Sequence, residues 1–255
     1  TFTGNNADGA SGSGGGILND LGVLTVTNTT FTSNSASRAG GGIEDKSAAG
    51  NMLMLTDVSF DSNTTASAPG NGGGLHITGP GNSTIEGCNA MNNTASAEGG
   101  GLWNGTGLML VNNSNFNSNI ASGAESNQGG GGLFNAGGEI KVTNSTFVEN
   151  SADGSSGSGG GILNDLGVLT VTNTTFTSNS ASRAGGGIED NSVEGNMLTL
   201  TDVRFDNNST ASAPGNGGGL HITGPGNSSI EGCNAMNNTA SAEGGGLWNG
   251  SGLML

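Results

Sequence analysis

The 255-residue chain has no Tyr, 2 Cys, 2 His, 4 Pro and only 5 Lys and Arg. Each scarcity closes off a class of function. Against so few basic residues stand 20 Asp and Glu, giving a formal charge of −15. Phosphate backbones and anionic lipid surfaces would repel such a chain, so nucleic acid is excluded as a partner. No run approaches the roughly 18 apolar residues of a membrane-spanning helix, so no membrane insertion of this segment is expected. The first residues, TFTGNNADGA, lack the basic and apolar regions of a signal peptide. Strong hydrophobes are also few: Leu, Ile, Val and Phe total 47, whereas Gly and Asn together make up about a third of the chain. Composition alone would place it among disordered segments. The spacing of the apolar residues says otherwise.

Residues 1–110 align with 146–255 without a gap at an offset of 145, with 13 differences. Inside this 145-residue unit a triple glycine followed by Ile or Leu recurs at Ile17, Ile43, Leu75, Leu102, Leu133, Ile162, Ile188, Leu220 and Leu247, at intervals of 26 to 32 residues. A second ladder, Phe-x-x-Asn, runs in phase: Phe2/Asn5, Phe31/Asn34, Phe60/Asn63, Phe116/Asn119, Phe147/Asn150, Phe176/Asn179 and Phe205/Asn208. Ala90/Asn93 and Ala235/Asn238 keep the Asn and lose the aromatic. Before each Phe position lies an alternating pair such as Leu24/Val26, Leu53/Leu55 or Ile140/Val142, the period of a β-strand.

Three short strands per repeat with no helical period can bury their apolar positions only by stacking turn on turn. The expected fold is all-β: a right-handed parallel β-helix of about nine turns of about 29 residues, with three short strands per turn. At one strand spacing per turn the rod is on the order of 40 Å long. Inward side chains then form columns of Ile/Leu, Val and Phe, and Asn suits the corners because it tolerates left-handed backbone. The internal copies agree with this assignment. Differences such as Thr3/Val148, Ala49/Glu194, Met54/Thr199 and Ser59/Arg204 fall at outward or corner positions, and no inward Ile, Leu, Val or Phe differs. Residues 1–255 read as a single segment of a longer array, one full super-repeat (1–145) and a partial second copy (146–255).

The repeated Gly-Gly-x-[Ile/Leu] and Phe-x-x-Asn motifs, from Phe2 to Trp248, resemble the repeat of polymorphic outer-membrane proteins and related autotransporter or adhesin passengers. That resemblance implies a right-handed β-helix displayed on a bacterial surface. The membrane barrel, signal and passenger-end cap of a full family member are not in this sequence.

Chemistry-bearing residues are few, and each occurs twice. Cys88 and Cys233 would lie five turns, about 24 Å, apart, beyond the ~7 Å that a disulfide tolerates, so they read as small core residues. His76 and His221 have no second His, Cys or paired carboxylate at ligand spacing, so no metal or other cofactor is expected. Glu44/Asp45 and Glu189/Asp190 are adjacent acids, which face opposite sides of a strand and make no acid/base couple. No catalytic residue is assigned. The calcium nonapeptide GGxGxDxUx is absent, and Thr25 gives way to Met54 in the next turn, which breaks any Thr array.

The outward position after the aliphatic residue is the most informative on the surface. It reads Leu18, Glu44, His76, Trp103, Phe134, Leu163, Glu189, His221, Trp248. The candidate binding stripe is His76, Trp103, Phe134, Leu163, His221 and Trp248, which either binds sugar, a partner chain or a sister rod, or is covered by a long corner such as 122–129. The leading expectation is a non-enzymatic extracellular or cell-surface protein: a stalk, adhesin or filament subunit. Its partners would be further copies, end to end or side by side, or a cell-surface glycan. The alternative is a carbohydrate-active β-helix enzyme whose active segment lies outside this window.

Overall fold

The computed structural model describes residues 1–255 as all-β, with no helix. The chain coils into a parallel β-helix whose turns form four parallel sheets, of nine, eight, nine and nine strands. One turn shows the plan. The first strand, Ile43–Lys46, follows the glycines; Met52–Thr56 is the second and Ser59–Asp61 the third. A fourth strand of two residues, Thr64–Thr65, follows the ladder Asn. Four strands per turn correct the expected three. The fourth was not visible as a strand because it is two residues long and its buried member is Ala or Thr, as in Ala36, Thr65 and Ala95, so it carries no apolar alternation.

Register is strict. Phe2, Phe31, Phe60, Ala90, Phe116, Phe147, Phe176, Phe205 and Ala235 are successive Cα partners. Their rings stack in two piles, Phe2 to Phe60 and Phe116 to Phe205, at centroid separations such as 4.8 Å (Phe2–Phe31) and 4.4 Å (Phe116–Phe147). Ala90 and Ala235 interrupt the column. Such aromatic pairs contribute about 0.5–1.5 kcal/mol each beyond area burial. A narrow core can therefore hold with few hydrophobes, since each side chain serves the turns above and below it.

The Phe-x-x-Asn motif has a definite geometry. The strand ends one residue after Phe, and the next residue, Ser33, Ser62, Asn92 or Glu149 among others, adopts left-handed φ between 54° and 59°. That turn points the following Asn inward. The Asn34 amide nitrogen donates to Asn63 Oδ1 (2.9 Å) and to the Phe2 carbonyl (2.9 Å), while the Asn63 oxygen also accepts from the Asn34 backbone N–H (3.0 Å). The same set recurs along the rod, and the Asn side chains from Asn34 to Asn208 are fully buried. Their desolvation is offset because every donor finds an acceptor.

The triple glycine is also accounted for. Gly40 has φ 62°, and a Cβ on Gly42 would sit 2.6 Å from the Gly74 carbonyl oxygen and 2.8 Å from Cδ1 of Phe60. The corner can close over the Phe column only without side chains. Cys88 packs in the core, as its sequence position implies, with burial pushing its thiol up to about 11. Cys233 lines an open apolar pocket at the last turn with Phe205, Leu220, Ile230, Ala235 and Leu247.

Candidate functional site

The outward column after the glycines is in register through all nine turns, from Leu18 to Trp248. Of the two expectations, an exposed stripe or one covered by corners, the structure shows the covered one for most of the column. His76, Phe134, Leu163 and His221 are buried, Trp103 and Trp248 are half-buried, and Leu18 in the first turn is exposed. The segment between the fourth strand and the glycines crosses over this column. Arg38 reaches from that segment to Glu44 (3.4 Å), and Trp103 Nε1–H donates back to Glu98 in the corresponding segment of its own turn (2.9 Å). The second copy repeats both links, Arg183 with Glu189 (3.1 Å) and Trp248 with Glu243 (3.0 Å). Neighbouring corners stack beside one another and leave a shallow groove between residues 66–69, 96–97 and 122–128.

Beneath the crossing segments lies a polar cluster that the sequence reading missed. His76 Nδ1 is 2.7 Å from Glu44 Oε2, and the Thr78 hydroxyl donates to Glu44 Oε1 (2.8 Å). His221, Glu189 and Thr223 reproduce the arrangement, both contacts at 2.5 Å. Burial by itself would raise the Glu44 carboxyl; the bonds from His76 and Thr78 and the charge of Arg38 outweigh it and hold the group below the ordinary range. The ionised carboxylate only accepts, so Nδ1 of His76 carries the proton toward it. The imidazole then lies on Trp103 at 4.2 Å between centroids, and Trp103 lies parallel to Phe134 at 6.0 Å. The result is a continuous pile of Arg, Glu, His, Trp and Phe over four turns, repeated in the second copy as Arg183, Glu189, His221 and Trp248 over three. The signal was available: the same ladder that aligned the aliphatic residues puts Glu44 directly below His76, 32 residues away in sequence and adjacent in the sheet.

The neighbouring acids sit on the other side of the strand. Asp45 and Asp190 are buried and accept from the Asn19 and Asn164 amides at 2.5 and 2.6 Å. This column reads Asn19, Asp45, Ile77, Asn104, Asn135, Asn164, Asp190, Ile222. Each Asn donates to the next member until an Ile follows. Asp stands immediately below each Ile because it accepts from the previous Asn and has no N–H to strand against an aliphatic chain. On the far side of the Ile, Asn104 Oδ1 is buried without a partner, since no amide lies beneath it. Burial pushes Asp190 up to about 6, against hydrogen bonds from Asn164 and Ser192, and raises Asp45 as well.

Two segments, residues 28–44 and 173–189, match the Chlamydia polymorphic membrane protein repeat. The chain is a parallel β-helix repeat protein, and these two segments are what it shares with the polymorphic membrane protein repeat. Both matches run from the left-handed corner at Asn28 or Asn173, through Phe-x-x-Asn and the three glycines, to the buried Glu44 or Glu189. They therefore span the elements that close one turn onto the next. Comparison with curated proteins and with solved structures finds no match.

Proposed function

We propose that the chain is a non-enzymatic, surface-displayed structural and adhesive repeat protein, a stiff spacer whose outer faces carry contacts. One observation carries this reading: the Asn ladder runs without a break from Asn5 to Asn238, joining every turn to the next by side-chain bonds that are buried from Asn34 to Asn208. A column of that kind specifies length and stiffness. The duplicated units, repeated down to each Arg, Glu and His of the buried cluster, suit a rod better than a single active centre. The match to a membrane-protein repeat supports display at a cell surface. With most of the outward column covered, contacts fall to the open sheet faces, the corners and the solvent-facing edges of Trp103 and Trp248.

The test is display of the chain on a cell surface, with adherence to glycan arrays and to cultured cells measured. Binding without turnover of any polysaccharide, weakened by Trp103→Ala, is the expected outcome. Depolymerisation of a polysaccharide by the purified chain would overturn the reading.

A further inference from the structure

The four sheets present unlike outer faces. The first lies under the corner segments. The third shows residues such as Thr30, Asp61, Asn115 and Thr177, and the fourth shows Ser35, Thr64 and Ser180. The second sheet differs from all of them. Its outer side carries Val23 at its edge and then Met52, Met54, Leu108, Leu110 and Met197, with Val23 69 % exposed, Met52, Met54 and Met197 41 % and Leu110 38 %. Acids on this face are confined to Glu86 and Glu231 at strand ends and to Glu139, whose carboxylate lies 2.8 Å from Lys141 Nζ and is neutralised in place.

We propose that this face pairs two copies of the chain side by side, second sheet against second sheet. The occupant follows from charge and shape. A chain of formal charge −15 repels its own copies across most of its surface. The outer sides of the second, third and fourth sheets all carry few charges, so charge permits approach on any of them; the exposed Met, Leu and Val side chains single out the second. It is also an in-register ladder of eight parallel strands, a surface that another such ladder can face at the ~10 Å spacing of packed sheets. Eight strands at ~4.8 Å and five residues at ~3.3 Å give roughly 600 Å² per copy. A standard stable interface contributes about 800 Å² per partner, so the pair is weak for a rod of this length and strengthens with every added turn. The inference depends on the rod geometry and is independent of the adhesive reading.

Sedimentation equilibrium over a wide concentration range, at about 50 mM and about 500 mM salt, tests the proposal, because screening weakens the repulsion between acidic rods. A dimer that grows with both concentration and salt is expected. Met54→Glu with Leu110→Glu should weaken it by about tenfold or more at unchanged far-UV circular dichroism. Met54→Thr, which installs the residue found at 199 in the internal copy and so preserves the fold, should weaken it severalfold. Thr146→Glu with Thr177→Glu, the same charge change on the third sheet, should leave it near the parent value. A chain that stays monomeric throughout overturns the proposal. So does a dimer indifferent to Met54 and Leu110 whose longest dimension in solution scattering is twice the monomer's, which would place association at the rod ends.

Discussion

If buried amides hold the rod together, removing one from the middle should cost far more than removing its duplicate at the edge. Asn150 and Asn5 are the same residue 145 positions apart. Asn150 makes four buried side-chain bonds: its oxygen accepts from Asn119 N (3.1 Å) and Nδ2 (2.8 Å), and its amide donates to the Phe116 carbonyl (3.0 Å) and Asn179 Oδ1 (2.9 Å). Asn150→Ala strands two buried donors of Asn119 at ~1–3 kcal/mol each and forfeits two further bonds at ~1 kcal/mol each, so the expected loss is about 4 kcal/mol or more. Asn5 is exposed, and its side chain makes one ladder bond, to Asn34 Oδ1 at 2.8 Å. Asn5→Ala should cost under about 1 kcal/mol. Asn150→Asp supplies a control on mechanism. It keeps the acceptor, but its second oxygen faces the Phe116 carbonyl and Asn179 Oδ1, so it should be worse at neutral pH and partly rescued when acid restores a proton to donate. Equilibrium urea unfolding, followed by circular dichroism and by emission from Trp103 and Trp248, measures all three. If Asn150→Ala and Asn5→Ala differ by less than about 1 kcal/mol, the ladder does not carry the rod.

Four further outcomes follow from individual sites. The Asp190 carboxyl is raised from 3.8 to about 6, so the folded state holds its proton more tightly than the unfolded state does. Its contribution is fully present below the unfolded value and is lost as pH rises toward and through 6, a decline of about 3 kcal/mol. The difference in unfolding free energy between wild type and Asp190→Asn should trace that decline, and a pH-independent difference would refute the assignment. Gly42→Ala places a methyl against the Gly74 carbonyl and the Phe60 ring and should cost about 2–3 kcal/mol, measured as a fall in urea midpoint. Glu149 sits at left-handed φ 54° where the first copy has Gly4, so Glu149→Gly should stabilise by up to about 1 kcal/mol by the same measurement. Cys88, buried with its thiol raised to about 11, should react with a disulfide reagent only on unfolding, whereas half-buried Cys233 should react in the native state; equal rates would contradict the placement.

Much of the fold was legible because a solenoid converts sequence interval into spatial neighbourhood. Once the aliphatic, Phe and Asn ladders are in phase, Ile17, Ile43 and Leu75 must stack, and the structure pairs them in that order. The covalent repeat fixed the number of turns, the inward columns and the partner of each outward residue one turn away. It could not fix how far a corner leans. The burial of His76, Phe134 and Leu163 depends on segments such as 37–42 and 96–101 crossing over a strand. Interval counting is blind to that, because corner length varies without disturbing the ladders. The hydrogen bond of His76 with Glu44 was implicit in the register, yet its significance rests on the exclusion of water by the corner above it. Sequence alone thus determined the one-dimensional order, which side chain lies over which. Only the tertiary structure decided which of those columns meet solvent, since desolvation depends on what covers a residue and not on where it stands in the repeat.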